Sequence, residues 1–440
     1  MKLLQSLIAH RGSLRRVVGL RNFSASSEEY HKRNYADNVA EYNTVLGSLS
    51  TQRRYYLLRD AYDDMMLDGV IPNRDTFRSL VVGTMKGSRL QDAFFFFNQM
   101  KTMGLVPDVT LYNFLISTCG KCKNSDQAVQ ILEEMKHMEV KPNVQTYICL
   151  LNACAADGRL DRVFAIVRDM TAAGLGLNKF AYAGLIMAHK NKTPVPDDFA
   201  AKVIEFVERS KMWSSVESDS ANAENVMMGV TDEELYNLPT AEYIHRRGLF
   251  LAKVLTAYHT AFYAAADLKN VQLMETLLDM LSKEGRTPDI YIMMQVIRCY
   301  CNAGDIERAR QTLEDYRNSG KPMAGDLFIT LAEGAMVGYT EKGMQIAQDA
   351  LVLMNQRNFL LNGKAGSDLL LLASGERTGG YTTANFIWDL MRAQNVTPSL
   401  PAIEAYYKGL KDREIPENDP RLLLVSQTYN NLRSRFANRN

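Results

Sequence analysis

The first residues whose types and spacing suggest chemistry are cysteines. Cys119-Gly120-Lys121-Cys122 is a C-x-x-C sequence, the spacing of half a zinc site or of a redox pair. A structural zinc site needs a second pair of soft ligands. Cys149, Cys154, Cys299 and Cys301 do not have that spacing, and no two histidines stand four residues apart. Cys119 and Cys154 are instead 35 residues apart, as if one slot had been filled twice. Cysteines placed that way read as small buried side chains, and no metal is expected. A glycine loop of the P-loop type is also missing. The expectation is a protein that is not an enzyme and takes no cofactor and no small-molecule substrate.

The cysteine interval is a property of the chain around it. Met65, Met100, Met135 and Met170 recur at 35 residues, with Tyr62, Phe97, Leu132 and Val167 three residues before them. Leu58, Ala93, Ala128 and Val163 fill another slot, and Tyr42, Phe77, Tyr112 and Tyr147 another near the start of each unit. Pro72, Pro107 and Pro142 follow the methionines, and Leu177 breaks that series. Several slots agreeing at one period mark a tandem-repeat solenoid, with units at 39–73, 74–108, 109–143 and 144–178.

Inside a unit the spacing is helical. Tyr112, Leu115, Ile116 and Cys119 fall at i, i+3, i+4 and i+7, and Ala128, Ile131, Leu132 and Met135 repeat it, predicting helices near 110–121 and 125–138. Gly69, Gly104 and Gly174 stop the second helix, while Glu139 stands in that place in 109–143. The fold class is therefore all-α: an α-solenoid of helix-turn-helix units that bury their faces only by stacking.

A fifth unit opens at Lys179 and fails after Lys192, giving an N-terminal array over 39–192. The stretch 193–250 reads as an acidic insertion. Between 193 and 242 it holds eleven acidic and three basic residues, with a polar middle from Ser214 to Asn225 expected to be an exposed loop. Asp197 to Arg209 suggests an extra helix, and Thr231-Asp-Glu-Glu234 a capping box. The segment reads either as a solvated loop or as an arm that meets a basic protein. A more degenerate array follows over 255–435, with units at 255–289, 290–324, a stretched 325–364, 365–399 and a half-unit from Leu400. Gly375 to Gly380 reads as a turn, and the residues after Glu414 as a capping helix with a frayed end. Phe94-Phe-Phe-Phe97 places Phe94 and Phe97 in core slots and leaves Phe95 or Phe96 as the candidate for exposure, a thick core or a partner-docking patch.

The chain has 440 residues and a net charge of +1, and no run of 18 apolar residues predicts a membrane span. The first 23 residues carry Lys2, Arg11, Arg15, Arg16 and Arg21 and no acid, with Leu3, Leu7, Leu14 and Val18 able to share a helical face. That is the pattern of an organellar transit peptide over 1–23, and Arg21-Asn22-Phe23-Ser24 resembles a mitochondrial processing site cut after Phe23. Without those five cations the chain is 1 − 5 = −4, which excludes a uniformly basic nucleic-acid glove.

Thr110 to Ile116, Ala128 to Met135 and Val140-Lys-Pro-Asn143, with the period of 35, resemble the pentatricopeptide repeat, here of the P type and the plant organellar branch. The resemblance implies a right-handed α-solenoid with one single-stranded RNA base per unit, chosen by the fifth and last residues. Those pairs are Asn43 with Asn73, Arg78 with Asp108, Asn113 with Asn143, Ile148 with Asn178, His259 with Asp289 and Met294 with Ala324. Only Asn43/Asn73 and Asn113/Asn143 match a code of the family, a pyrimidine-leaning one, because an amide offers both donor and acceptor to a base edge. The second residue of each unit would flank the base: Ala40, Asp75, Thr110, Gln145, Thr256, Tyr291 and Asp326. Lys86 and Lys121 take the slot that meets the phosphate backbone, and Ala156 breaks that row. The chain lacks the His-x-Glu of the deaminase tail on editing members, having no His or Cys after Cys301. Degenerate base slots and negative charge lead to the expectation of a structural component or stable partner of the mitochondrial ribosome in the matrix, touching RNA and ribosomal proteins. The alternative is a gene-specific factor that stabilises or processes an organellar transcript.

Overall fold

A computed structural model describes residues 35–211, 225, 228–247, 251–377 and 381–437. The expected transit peptide, most of the polar stretch 214–225, the end of the turn 375–380 and the last residues of the tail lie outside them.

Every regular element among the described residues is helical. The first four units pair Val39–Thr51 with Leu58–Leu67, Arg74–Lys86 with Leu90–Thr102, Val109–Lys121 with Ser125–His137, and Val144–Ala156 with Leu160–Ala172. The recurring Met65, Met100, Met135 and Met170 are each 0% exposed. Emptying one such slot to alanine costs roughly 2–5 kcal/mol. Gly104 ends its helix at φ +76, and the Leu105 amide donates to Met100 O at 3.1 Å. Glu139 adopts the same left-handed backbone at φ +57, with Val140 N to Met135 O at 3.0 Å. A side chain there costs on the order of 1 kcal/mol, so stacking of the neighbouring units imposes the turn even without glycine.

Successive first helices pack directly on one another, while the second helices lie chiefly against their own partners and the next first helix. The first helices thus form the tighter layer, the inner one of a curved array. The stack does not stop at the acidic segment. Lys179–Asn191 docks on Thr256–Asp267, and Phe199–Lys211 packs against both. The interruption expected from 193 is therefore narrower: its first helix serves as the second helix of the fifth unit, and the true departure follows Lys211. The hydrophobic face of that helix, with Phe199, Val203, Phe206 and Val207 buried, supplies the reason.

The later units are Thr256–Asp267 with Val271–Lys283, Ile290–Asn302 with Ile306–Asn318, Gly325–Ala335 with Glu341–Gln356, and Gly363–Ala373 with Thr382–Ala393. The added length of the stretched unit sits in its second helix, which has 16 residues. Pro420–Ala437 packs on Leu400–Lys411 and closes the end of the stack with Leu422 and Val425.

The four phenylalanines differ from expectation. Phe96 and Phe97 are buried, and Phe94 and Phe95 are half-buried. The preceding unit is the cause: Tyr62 lies 5.2 Å from the Phe96 ring and 5.9 Å from Phe95, and Arg59 stacks its guanidinium 3.4 Å above Phe95. The run joins two units rather than forming a docking patch.

Candidate nucleic-acid interface

The last residue of a unit is also the N-cap of the next first helix. Asn73 accepts from Thr76 N at 2.9 Å, Asp108 from Leu111 N at 2.9 Å, Asn143 from Thr146 N at 2.9 Å, Asn178 from Ala181 N at 3.1 Å and Asp289 from Ile292 N at 2.9 Å. Asn or Asp at these slots is thus favoured by capping before any ligand is considered. Because first helices stack side by side, the cap of one reaches the fifth residue of the helix before it. Asn43 Nδ2 donates to Asn73 Oδ1 at 3.2 Å, Arg78 Nη2 to Asp108 Oδ2 at 2.7 Å, and Asn113 Nδ2 to Asn143 Oδ1 at 3.4 Å. His259 Nε2 lies 2.7 Å from Asp289 Oδ2, and the imidazole and backbone amides hold the Asp289 carboxyl below its usual range against the opposing effect of burial. Ile148 and Met294 carry no polar group to join such a pair.

The pairs differ in access. Asn73 is exposed and Asn43 half-buried. Asn113 is 1% exposed, and its Oδ1 has no hydrogen-bond partner among the described residues. Arg78 and Asp108 neutralise each other, with Arg74 Nη1 3.9 Å from the same carboxylate.

What covers the middle of the array is the acidic segment itself. The Thr231–Glu234 capping box opens a short helix, Asp232–Leu235, and Ala241–Arg247 follows. Lys86 Nζ donates to Gly229 O at 2.6 Å and lies 3.9 Å from Glu234 Oε2. Burial pushes the Lys121 ammonium down to about 8, opposed by the Glu234 carboxylate. Asn237 Nδ2 donates to Ser117 O at 2.9 Å, and this approach uses the bare face of Gly120, where a Cβ would meet Asn237 Nδ2 at 2.7 Å. Tyr236 lies on Phe180 with ring centroids 4.8 Å apart, and Tyr243 on Tyr291 at 5.3 Å. Asn225 Nδ2 donates to Gln145 Oε1 at 3.4 Å. Val230, Leu235, Tyr236 and Leu238 are buried in the common core. Of the two lysines expected to meet a phosphate backbone, Lys86 therefore meets a main-chain oxygen and a carboxylate of its own chain, and Lys121 lies within the field of the same carboxylate. The Asn225 end of the stretch expected as an exposed loop is 4% exposed.

Two more contacts fix the curvature. Arg53 Nε donates to His245 Nε2 at 2.8 Å, and Lys364 Nζ to Glu242 Oε1 at 2.9 Å. His245 and Glu242 are separated by about 4.5 Å of helix rise. In a straight stack of helices about 9 Å apart, the units of Arg53 and Lys364 would be separated by roughly 70 Å. The layer of first helices therefore winds around the segment, which lies along its inner face.

Among the cysteines, the buried Cys149 touches the segment, its Sγ donating to Leu235 O at 3.9 Å. Burial pushes the Cys119 thiol up to about 12 and Cys154 up to about 11, and no group of His, Cys, Asp and Glu fit to hold a metal occurs among the described residues. No described helix is long and apolar enough to cross a membrane. Sequence reasoning missed Glu234, Tyr236, Asn237 and Tyr243 as groove residues. The capping box announced a helix, but nothing local announced where it docks.

Comparison with known proteins places these features in context. Residues 107–156 match the PPR repeat family, 63–122 the pentatricopeptide repeat domain, and 145–175 and 291–320 the PPR repeat. The chain is 59% identical over 434 residues to the mitochondrial pentatricopeptide repeat-containing protein At4g35850 of Arabidopsis thaliana, covering 98% of both chains. Among solved structures it resembles the pentatricopeptide repeat protein PPR10 in complex with an 18-nt psaJ RNA element, with TM-score 0.50 and 18% identity over 89% of this chain. It spans 51% of that chain, a likeness of fold. A form of the same protein with three cysteines replaced by serine, bound to the same RNA element, matches equally, at TM-score 0.50 and 18% identity over 89% of this chain and 51% of that one.

Proposed function

We propose that this chain, which belongs to the pentatricopeptide repeat family and is a plant mitochondrial protein, binds single-stranded RNA along its inner layer of first helices without catalysing a reaction. It is a P-type member in this reading, since its clear units keep one 35-residue period. The observation that carries the reading is the meeting of fifth and last residues across stacked units, with the Asn43/Asn73 pair accessible. An amide pair held at a helix N-terminus offers donors and acceptors to a base edge, and the exposed Asn73 can exchange its bond to Asn43 for one to a base. The structural neighbour PPR10 carries RNA on the same fold. The test is ultraviolet crosslinking of the tagged full-length protein in mitochondria, followed by sequencing of attached RNA. Defined RNA sites that weaken with Asn43→Ala support the reading, and recovery no higher than an untagged control overturns it.

A second reading, a stable partner of the mitochondrial ribosome, draws on the apolar Ile148 and Met294 slots, the buried Asn113 and the net −4 charge beyond residue 23. In it, shape and protein contacts replace base reading. Gradient sedimentation of a mitochondrial lysate tests it: co-migration with a ribosomal subunit through magnesium removal and high salt supports it, and sedimentation as free protein sinks it.

A further inference from the structure

We propose that the segment from Val230 to His245 is a pseudo-ligand built into the chain: it occupies the inner face of the array in place of RNA, so that RNA binding over the third to fifth units requires its displacement. The inference rests on the RNA-binding reading above and adds the regulation of that site.

The contacts copy, group by group, what a nucleic-acid strand would present. Glu234 sets a carboxylate beside Lys86 and Lys121, cations otherwise available to a phosphate. Tyr236 and Tyr243 lay aromatic rings against Phe180 and Tyr291, the kind of face on which a base stacks. Asn237 and Asn225 use amides on Ser117 and Gln145, as base edges would. The segment thus combines anion, ring and amide along one groove, which a purely structural brace would not need.

Its attachment is divided. Val230, Leu235, Tyr236 and Leu238 are buried, whereas the flanking bonds from Arg53 to His245 and from Lys364 to Glu242 are solvent-exposed. The first is a hydrogen bond to an imidazole nitrogen, and the second is an exposed ion pair, which holds weakly and is screened by salt. Lys121 also carries a burial penalty while covered, which uncovering relieves. A polyanion that engages Lys86 and Lys121 competes directly with Glu234, and the observed affinity is the intrinsic one reduced by the fraction of uncovered chains.

The experiment uses the full chain and a Glu234→Gln/Asn237→Ala double variant, neither residue belonging to the array. Equilibrium binding is read by fluorescence anisotropy with a labelled random-sequence single-stranded RNA pool. Hydrogen exchange of 228–245 is followed with and without that RNA. The expected result is about tenfold tighter binding by the variant, with RNA accelerating exchange of 228–245 in the native chain. Helical circular dichroism confirms that the variant is folded. If it is not, Tyr243→Ala, which loosens the contact at Tyr291, takes its place with the same expected direction. Equal or weaker binding by a folded variant, or retained protection of 228–245 in the RNA-bound chain, overturns the inference and leaves the RNA reading standing. RNA bound by neither form overturns both.

Discussion

The first two units and the third to fifth units share one architecture but present different surfaces. In the former, Asn73 is exposed beside Asn43, and Arg78 and Asp108 are half-buried. In the latter, Asn113, Ile148 and Asn178 are all buried. The stacking that creates the slots is the same, and so is the N-cap that fixes the last residue of each pair. The difference comes from a segment far along the chain that reaches the first two units at Arg53 and Lys86, at the C-terminal ends of their first helices, and seats across the third to fifth. A slot code read from repeat register therefore states which side chains meet, and not which of them a ligand can reach.

The change expected to disturb this contrast most is Tyr236→Ala. It removes a buried ring from Phe180 and leaves a cavity under the segment, a loss of about 3 kcal/mol by the large-to-small rule. Urea unfolding of native and variant chains measures it, and a change within error would mean that the segment is not anchored there. Next in size is a paired comparison. Asn43→Ala is expected to weaken RNA binding about tenfold, one hydrogen-bonded base contact, whereas Asn113→Ala alters it little until the covering segment is loosened. Equal effects of the two substitutions in the otherwise native chain would erase the proposed difference between regions.

The covered region also has a pH signature. Lys121 titrates near 8 when folded, below its ordinary 10.5, so the unfolded chain binds more protons between those values. Stability contributed by this site therefore rises as pH increases from about 8 toward about 10.5, and the full cost of burying the cation is present below about 8. The urea midpoint of the native chain minus that of Lys121→Met, followed over this range, should carry that slope. A flat difference would show that the ammonium is not enclosed.

The smallest effect separates capping from reading. Asn73→Ala should cost about 1 kcal/mol in thermal stability through the lost cap, while Asn73→Ser retains most of that stability. Both should weaken RNA binding if the amide reads a base. Full RNA affinity in the serine variant would assign Asn73 to the cap alone.

The repeat itself was legible because its causes are local. Apolar residues at three and four, a methionine slot, a glycine or proline at the turn and an Asn or Asp before the next helix each act within one unit or on its neighbour. The pairs Asn43/Asn73, Arg78/Asp108, Asn113/Asn143 and His259/Asp289 could be named from the resemblance, and the stack brings each pair together. The four phenylalanines were only half legible, since helical phase does not say how much of Phe96 the previous unit covers. Phe199–Lys211 was legible as a helix but not as part of the fifth unit, because Pro194 and Pro196 lengthen the turn before it.

By itself, then, the sequence determined an all-helical stack, its period, its caps and its membership in the repeat family, since each follows from contacts a few residues or one unit apart. Only the tertiary structure decided that the array winds far enough for Arg53 and Lys364 to approach one short helix, and that Glu234 and Asn237 lie across Lys86, Ser117 and Lys121. Small rotations between units accumulate into that curvature, and no single residue carries it. The partners of the covering segment stand from about 50 residues away, at Tyr291, to 192 away, at Arg53, where periodicity and charge pattern hold no record of the contact.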